Sequence, residues 1–189
     1  MNHQTVGQET QADAVIAATR DWLEKAVIGL GLCPFAKAVH AKGQIRFVVS
    51  AAQSPEALVK DLIAELRALE AADPSAVDTT LLVHPGVLAD FGDYNDFLDI
   101  ADALLAELEL AGVIQIASFH PQYRFEGTMK DAIENYTNRS PYPMLHLLRE
   151  DSVEKAVTSY PDVADIPEKN IETMNKLGID GWLALMAKK

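Results

Sequence analysis

Three short β-branched runs, Ile45–Val49, Thr79–Val83 and Val113–Ser118, alternate with two long runs of helical periodicity. That order constrains the fold more than any other feature of the chain. Strand, helix, strand, helix, strand is the pattern of a parallel sheet, because parallel neighbours need crossover connections long enough to hold a helix. Ser54-Pro55 opens the first intervening helix with a capping hydroxyl and a proline at the first helical position. Leu58, Leu62, Leu66 and Leu69 form its apolar face, and Asp73-Pro74 stops it. The second runs from about Asp93 to Ala111, with Phe97, Ala101, Leu104 and Leu108 on one side and Gly112 suited to the position after its end. The expected fold is therefore α/β: a mainly parallel sheet of three to four strands with crossover helices, a long functional loop after the third strand, and a helical C-terminus.

The flanks extend this frame. Val15, Ala18, Trp22, Ala26 and Leu30 step by three or four, which predicts a helix over 13–32 that Pro34 brings to an end. Met144–Arg149 reads as a strand or a short helix. Asp151-Ser152-Val153-Glu154 resembles a capping box opening a further helix, which favours a strand before it, of undetermined direction. Ile171, Met174 and Leu177 belong to a last helical segment ended by Gly178, and Trp182, Leu185 and Met186 dock the C-terminus.

At 189 residues, 49% of them hydrophobic, the chain can bury a core without staples. Its single cysteine excludes an internal disulfide and suits a reducing compartment, which predicts a cytoplasmic location. No apolar run approaches the length of a membrane span. The polar stretch Met1 to Gln11 has neither the basic segment nor the apolar core of a secretory leader; residues 1–12 read as a frayed tail ahead of a single domain, 13–189. A formal net charge of −12 repels nucleic-acid phosphates and anionic lipid, so neither is expected as a partner.

His84-Pro85 and His120-Pro121 each follow a strand directly. If those strands are parallel, both imidazoles emerge on one edge of the sheet, the edge outside the strand carboxyl ends where open α/β sheets bind ligands. Histidine changes charge near neutral pH, so His120 and His84 are candidate acid–base residues. The bland reading of each is a turn with a satisfied imidazole. His146 is the third histidine of a scattered set, and His84, His120 and His146 could hold a divalent metal such as zinc, although no ligand-spacing signature supports it. Cys33 is a candidate nucleophile or a small buried hydrophobe. The irregular stretch Gln122 to Pro143 carries Arg139, whose planar fork suits carboxylate or phosphate, with Asn135, Asn138, Tyr136 and Arg124 as further substrate-binding candidates and Arg149 as added positive charge. The alternative is a loop held by its own hydrogen bonds, with Arg139 paired to Glu134 or Asp131.

Cys33-Pro34-Phe35-Ala36 resembles the active-site tetrapeptide of some thioredoxin-fold glutathione transferases, but there the cysteine opens a helix, whereas here it closes one with no strand before it. Leu32-Cys33-Pro34-Phe35-Ala36, Ser118-Phe119-His120-Pro121 and Asn135-Tyr136-Thr137-Asn138-Arg139-Ser140-Pro141-Tyr142-Pro143, continuing into Leu145-His146-Leu147-Leu148-Arg149, together resemble the bacterial and plant family known as the domain of unknown function numbered 1415. The match runs from about Ala14 to Met186, and its long third segment is the specific one. The resemblance implies a stand-alone intracellular domain; it implies no activity and carries over no catalytic residue.

These residues point first to a small-molecule enzyme acting on an anionic carboxylate or phosphate substrate, with histidine acid–base chemistry and metal-assisted hydrolysis as an optional form. A thiol enzyme using Cys33 and a non-catalytic module that binds an anionic metabolite are the alternatives.

Overall fold

A computed structural model of the chain describes residues 3–160 and 163–187. Its elements are α1 (His3–Trp22), α2 (Ala36–Ala41), β1 (Ile45–Val49), α3 (Pro55–Ala71), β2 (Thr79–Val83), α4 (Phe91–Glu107), β3 (Ile114–Phe119), β4 (Met144–Arg149), α5 (Glu150–Ser159) and α6 (Ile166–Ala187). The stretch expected as a tail is helical from His3 onward, and Met1 and Asn2 lie outside the described residues. The first helix passes into a π-helical turn, Leu23–Ile28, and Gly31, in the left-handed region at φ 70°, ends it before Pro34 does.

The sheet is mixed, with strand order β1-β2-β4-β3. β1 pairs with β2 in parallel, whereas β4 runs antiparallel to both β2 and β3. The expectation of a mainly parallel sheet is thus corrected, for a simple reason. The chain leaves β3 at the strand carboxyl ends, wraps through 121–143 and re-enters at the same edge, so β4 has to run back. The three strands β1, β2 and β3 still share one direction, because β3 and β2 each oppose β4.

Side-chain alternation sorts the sheet into two faces. Leu82, Leu145, Leu147 and Ile114 pack with Leu58, Leu62 and Leu66 of α3 and with Tyr94, Phe97 and Ala101 of α4. Leu81, Val83 and Met144 pack on the other face with Val15 and Trp22 of α1, Leu23 and Ala26 of the π turn, and Met174 and Trp182 of α6. Ser54 caps α3 as expected, its side chain accepting from Ala57 N–H. The second crossover helix begins at Phe91, two residues before Asp93, because Asp90 caps it by accepting from Gly92 and Asp93 N–H. It also ends earlier than predicted. Glu109, not Gly112, takes the left-handed position after the helix, at φ 57°, and Leu110 N–H reaches back to Leu105 O. Gly178, non-helical at φ 66°, ends the segment that carries Ile171, Met174 and Leu177 as expected, and a second helical stretch of α6 follows it. Among the described residues no helix is long and apolar enough to cross a membrane.

Arg149 corrects a further expectation. It lies at the far end of β4, away from the strand carboxyl ends, and its guanidinium donates to the carbonyls of Leu69, Ala72 and Val77. It closes the C-terminal end of α3 and adds no charge to a ligand pocket. Replacing it by Met should leave those buried carbonyls unpaired and lower unfolding free energy by about 2–3 kcal/mol. Urea denaturation measures this, and a change below about 0.5 kcal/mol would contradict the assignment.

Candidate functional site

Because β2 and β3 point the same way, His84 and His120 do share one rim. Neither is exposed, and both rings lie against Tyr94 of α4. The His84 ring stacks on Tyr94 with centroids 5.9 Å apart, and the His120 ring tilts against it at 5.0 Å. The Tyr94 hydroxyl donates to Met144 O and accepts from Phe119 N–H, so one phenol ties α4 to the start of β4 and the end of β3.

The hydrogen bonds fix the two tautomers. His84 Nδ1 lies 3.1 Å from Val87 O, so Nδ1 carries the proton. Its Nε2 is buried and has no partner among the described residues. His120 Nδ1 accepts from Gln122 N–H at 3.0 Å, so its proton sits on Nε2, which donates to Leu88 O at 3.1 Å. Two histidines from different strands therefore grip consecutive carbonyls of the strap between β2 and α4. Leu88 itself is in the left-handed region at φ 58°, a strained conformation for a branched side chain. Burial pulls the His84 pKa from 6.5 down to about 4, against the Val87 hydrogen bond and helped by His120. Burial also lowers His120, opposed by its bond to Leu88 and by Asp90.

A second polar pair stands at the same rim. Ser50 follows β1 as His84 follows β2, and its N–H donates to Val83 O at 2.8 Å. Its hydroxyl donates to Asp61 Oδ2 of α3 at 2.5 Å and accepts from Ala52 N–H. The loop after β1 presses on the strap at Gly86, where a Cβ would lie 2.9 Å from Ala52 O. Sequence reading missed Ser50, Asp61, Tyr94 and Leu88. Only Ser50 had a visible signal, its place at a strand's end.

The other candidates lie elsewhere. His146 sits mid-β4 between Leu81 and Ala117, on the opposite face from Tyr94. The Thr79 hydroxyl gives its proton to Leu147 O and lies 2.7 Å from His146 Nε2, so His146 is the donor there. Burial pulls its pKa to about 4. The expected set of His84, His120 and His146 is therefore not assembled, and among the described residues no three His, Cys, Asp or Glu side chains could hold a metal ion. Cys33 is half-buried against the α1–α6 core, between the π turn and α2, and so across the sheet from both rim imidazoles.

The long loop, which includes a 3₁₀ segment at Ile133–Asn138, is held by the side chains expected to bind substrate. Asn135 is fully buried; its Oδ1 accepts from Phe125 N–H and the Thr128 hydroxyl, and its Nδ2 donates to Met129 O. Asn138 donates to Ser118 O. Arg139 pairs with neither Glu134 nor Asp131. It donates to Tyr123 O and Lys130 O and lies 4.1 Å over the Tyr136 ring. Tyr136 in turn meets Trp182 edge-on, and Arg124 is exposed.

Stability should report the buried rim histidine directly. The folded-state pKa of His84 lies below its unfolded value, so between pH 6.5 and about 4 the unfolded chain binds a proton that the native chain does not. Its contribution is therefore present above pH 6.5 and lost as pH falls toward 4, by about 3 kcal/mol in all. Denaturation across this range should show the fall, and His84→Gln should reduce it by this share, leaving what His146 and His120 contribute; an unchanged slope in the variant would count against the buried neutral imidazole.

No curated protein and no solved structure matches the chain. A family model described as protein of unknown function (DUF1415) matches residues 14–184, almost the whole chain, and spans every strand, the rim and the long loop. The protein belongs to this family of unknown function, DUF1415.

Proposed function

We propose that the rim outside the carboxyl ends of β1, β2 and β3 binds a small molecule and that His84 Nε2 accepts a proton or hydrogen bond from it. One observation supports this above all: among the described residues Nε2 is a buried nitrogen lone pair without a partner, on a ring whose other nitrogen is pinned to Val87 O. Buried polar groups are almost always paired, and a fixed tautomer with one free lone pair is what a general base requires. Burial keeps that base neutral, and so able to accept, well below neutral pH.

His120 has a different role in this reading. Both its nitrogens are committed, so it positions the strap and transfers no proton. That commitment also supports a second reading, ligand binding without turnover, since no acid–base pair is aligned. Zinc-assisted hydrolysis loses its third ligand with His146 across the sheet, and a thiol mechanism at Cys33 would act across the sheet from both rim imidazoles. For an anionic substrate, the support is narrow: Nη1 of Arg139 and the exposed guanidinium of Arg124 have no hydrogen-bond partner among the described residues.

A thermal-shift screen of metabolites tests the site. A ligand at about 100 times its Kd stabilises by about 2.7 kcal/mol. His84→Gln, which keeps a donor for Val87 O and alters the acceptor, should fold and lose that stabilisation. Turnover of the stabilising compound would establish the enzyme; stabilisation without turnover would favour binding alone. A ligand response untouched by His84→Gln would place the site elsewhere.

A further inference from the structure

The hydrogen-bonding capacity left open on Ser50, Asp61 and His84 is all of one kind. Val49 and Val83 are register partners packed into the α1–α6 side, so the next residues, Ser50 and His84, turn to the α3–α4 face. Their contacts agree: Ser50 reaches Asp61 of α3, and His84 lies on Tyr94 of α4. Adjacent strands bring the two backbones within about 5 Å of each other. The side-chain hydrogens of Ser50, His84, His120 and Tyr94 all have acceptors, and Gln53 Nε2, beside Gly86, gives one of its two to Ala51 O. Ser50 N–H serves Val83 O, Ser50 Oγ–H serves Asp61, His84 Nδ1–H serves Val87 O, His120 Nε2–H serves Leu88 O, and Tyr94 O–H serves Met144 O. Acceptors remain: His84 Nε2, the second lone pair of Ser50 Oγ, and the free capacity of the Asp61 carboxylate. The side chains around the strap add Asp90, Asp93 and Asp96, and the chain as a whole carries −12.

We propose that this site takes a primary ammonium group, donating to His84 Nε2, Ser50 Oγ and Asp61 together. This rests on the reading of His84 as the ligand's acceptor and names the class of compound it accepts. Three acceptors match the three N–H donors of an ammonium. An anion would meet lone pairs and carboxylates there. A neutral imidazole also spares the cation a like charge, and Asp61 supplies the opposite one. Entry requires the strap to lift, and the residue that pays in strain for the closed form, Leu88, is one of the two whose carbonyls the histidines hold.

Ethanolamine is the probe, with tetramethylammonium at the same concentration as a cation that has no N–H to donate. Calorimetry and thermal shift on the full chain should show binding of ethanolamine and none of tetramethylammonium. His84→Gln and Asp61→Asn should abolish it, and Ser50→Ala should weaken it about tenfold, the loss of one hydrogen bond to a charged group. Arg139→Gln should leave it unchanged. Should Asp61→Asn fail to fold, Ser50→Ala carries the same test with the carboxylate intact. Equal effects of the two cations, or an ethanolamine response that survives both His84→Gln and Ser50→Ala, would overturn the proposal. Orthophosphate or citrate binding lost in His84→Gln, with no ethanolamine response, would sink the ammonium assignment and leave His84 as the acceptor. If no probe of either sign depended on His84, both readings would fall.

Discussion

The Tyr94 hydroxyl is the contact on which the rim depends. One oxygen donates to Met144 O and accepts from Phe119 N–H, while its ring supports both His84 and His120. Burial pushes the phenol's pKa up, which favours the protonated hydroxyl as a donor. The consequence is architectural. β4 enters between β2 and β3 at this point, and the place where it enters determines that two imidazoles separated in the sheet by a strand still meet across one aromatic ring.

From that contact the rest of the rim follows as a set of locked main-chain groups. His84 and His120 hold neighbouring carbonyls of the strap, Asp90 caps α4 behind it, and Gly86 lets the loop after β1 come close. Such a region could be fully satisfied and purely structural, like the long loop with its Asn135 and Arg139. It is not. A strained Leu88 and an orphaned His84 Nε2 stand a few residues apart, while the other buried polar atom left unpaired among the described residues, Thr80 Oγ1, lies at the far end of β2. Strain and an unpaired buried group standing together are characteristic of sites that wait for a ligand.

The sequence made the frame legible and left the site only half so. Alternating β-branched and 3.6-period runs located β1, α3, β2, α4 and β3, and Ser54-Pro55 marked a helix start correctly. The shared rim of His84 and His120 followed from chain direction alone. The direction of β4 did not, because it depends on where 121–143 returns, and that path is drawn by long-range bonds such as Trp22 Nε1–H to Arg139 O. Polar residue types in that loop were ambiguous for a physical reason. A guanidinium or an amide that can hold a phosphate can equally hold a backbone carbonyl, and Arg139, Asn135 and Arg149 do the latter. His146 went astray for want of register: one residue either way changes the face it occupies. Ser50 and Asp61 are unremarkable in sequence and meet only because α3 crosses back over the end of β1.

All of this converges on the state of one ring. Long-range ¹H–¹⁵N correlation of the histidine side chains through an acid titration reads it directly. The account predicts that His84 is neutral with its proton on Nδ1, that Nε2 is unprotonated, and that the ring titrates only near pH 4. A proton on Nε2 at neutral pH, or an ordinary titration near 6.5, would mean that the lone pair on which the site is built is not there.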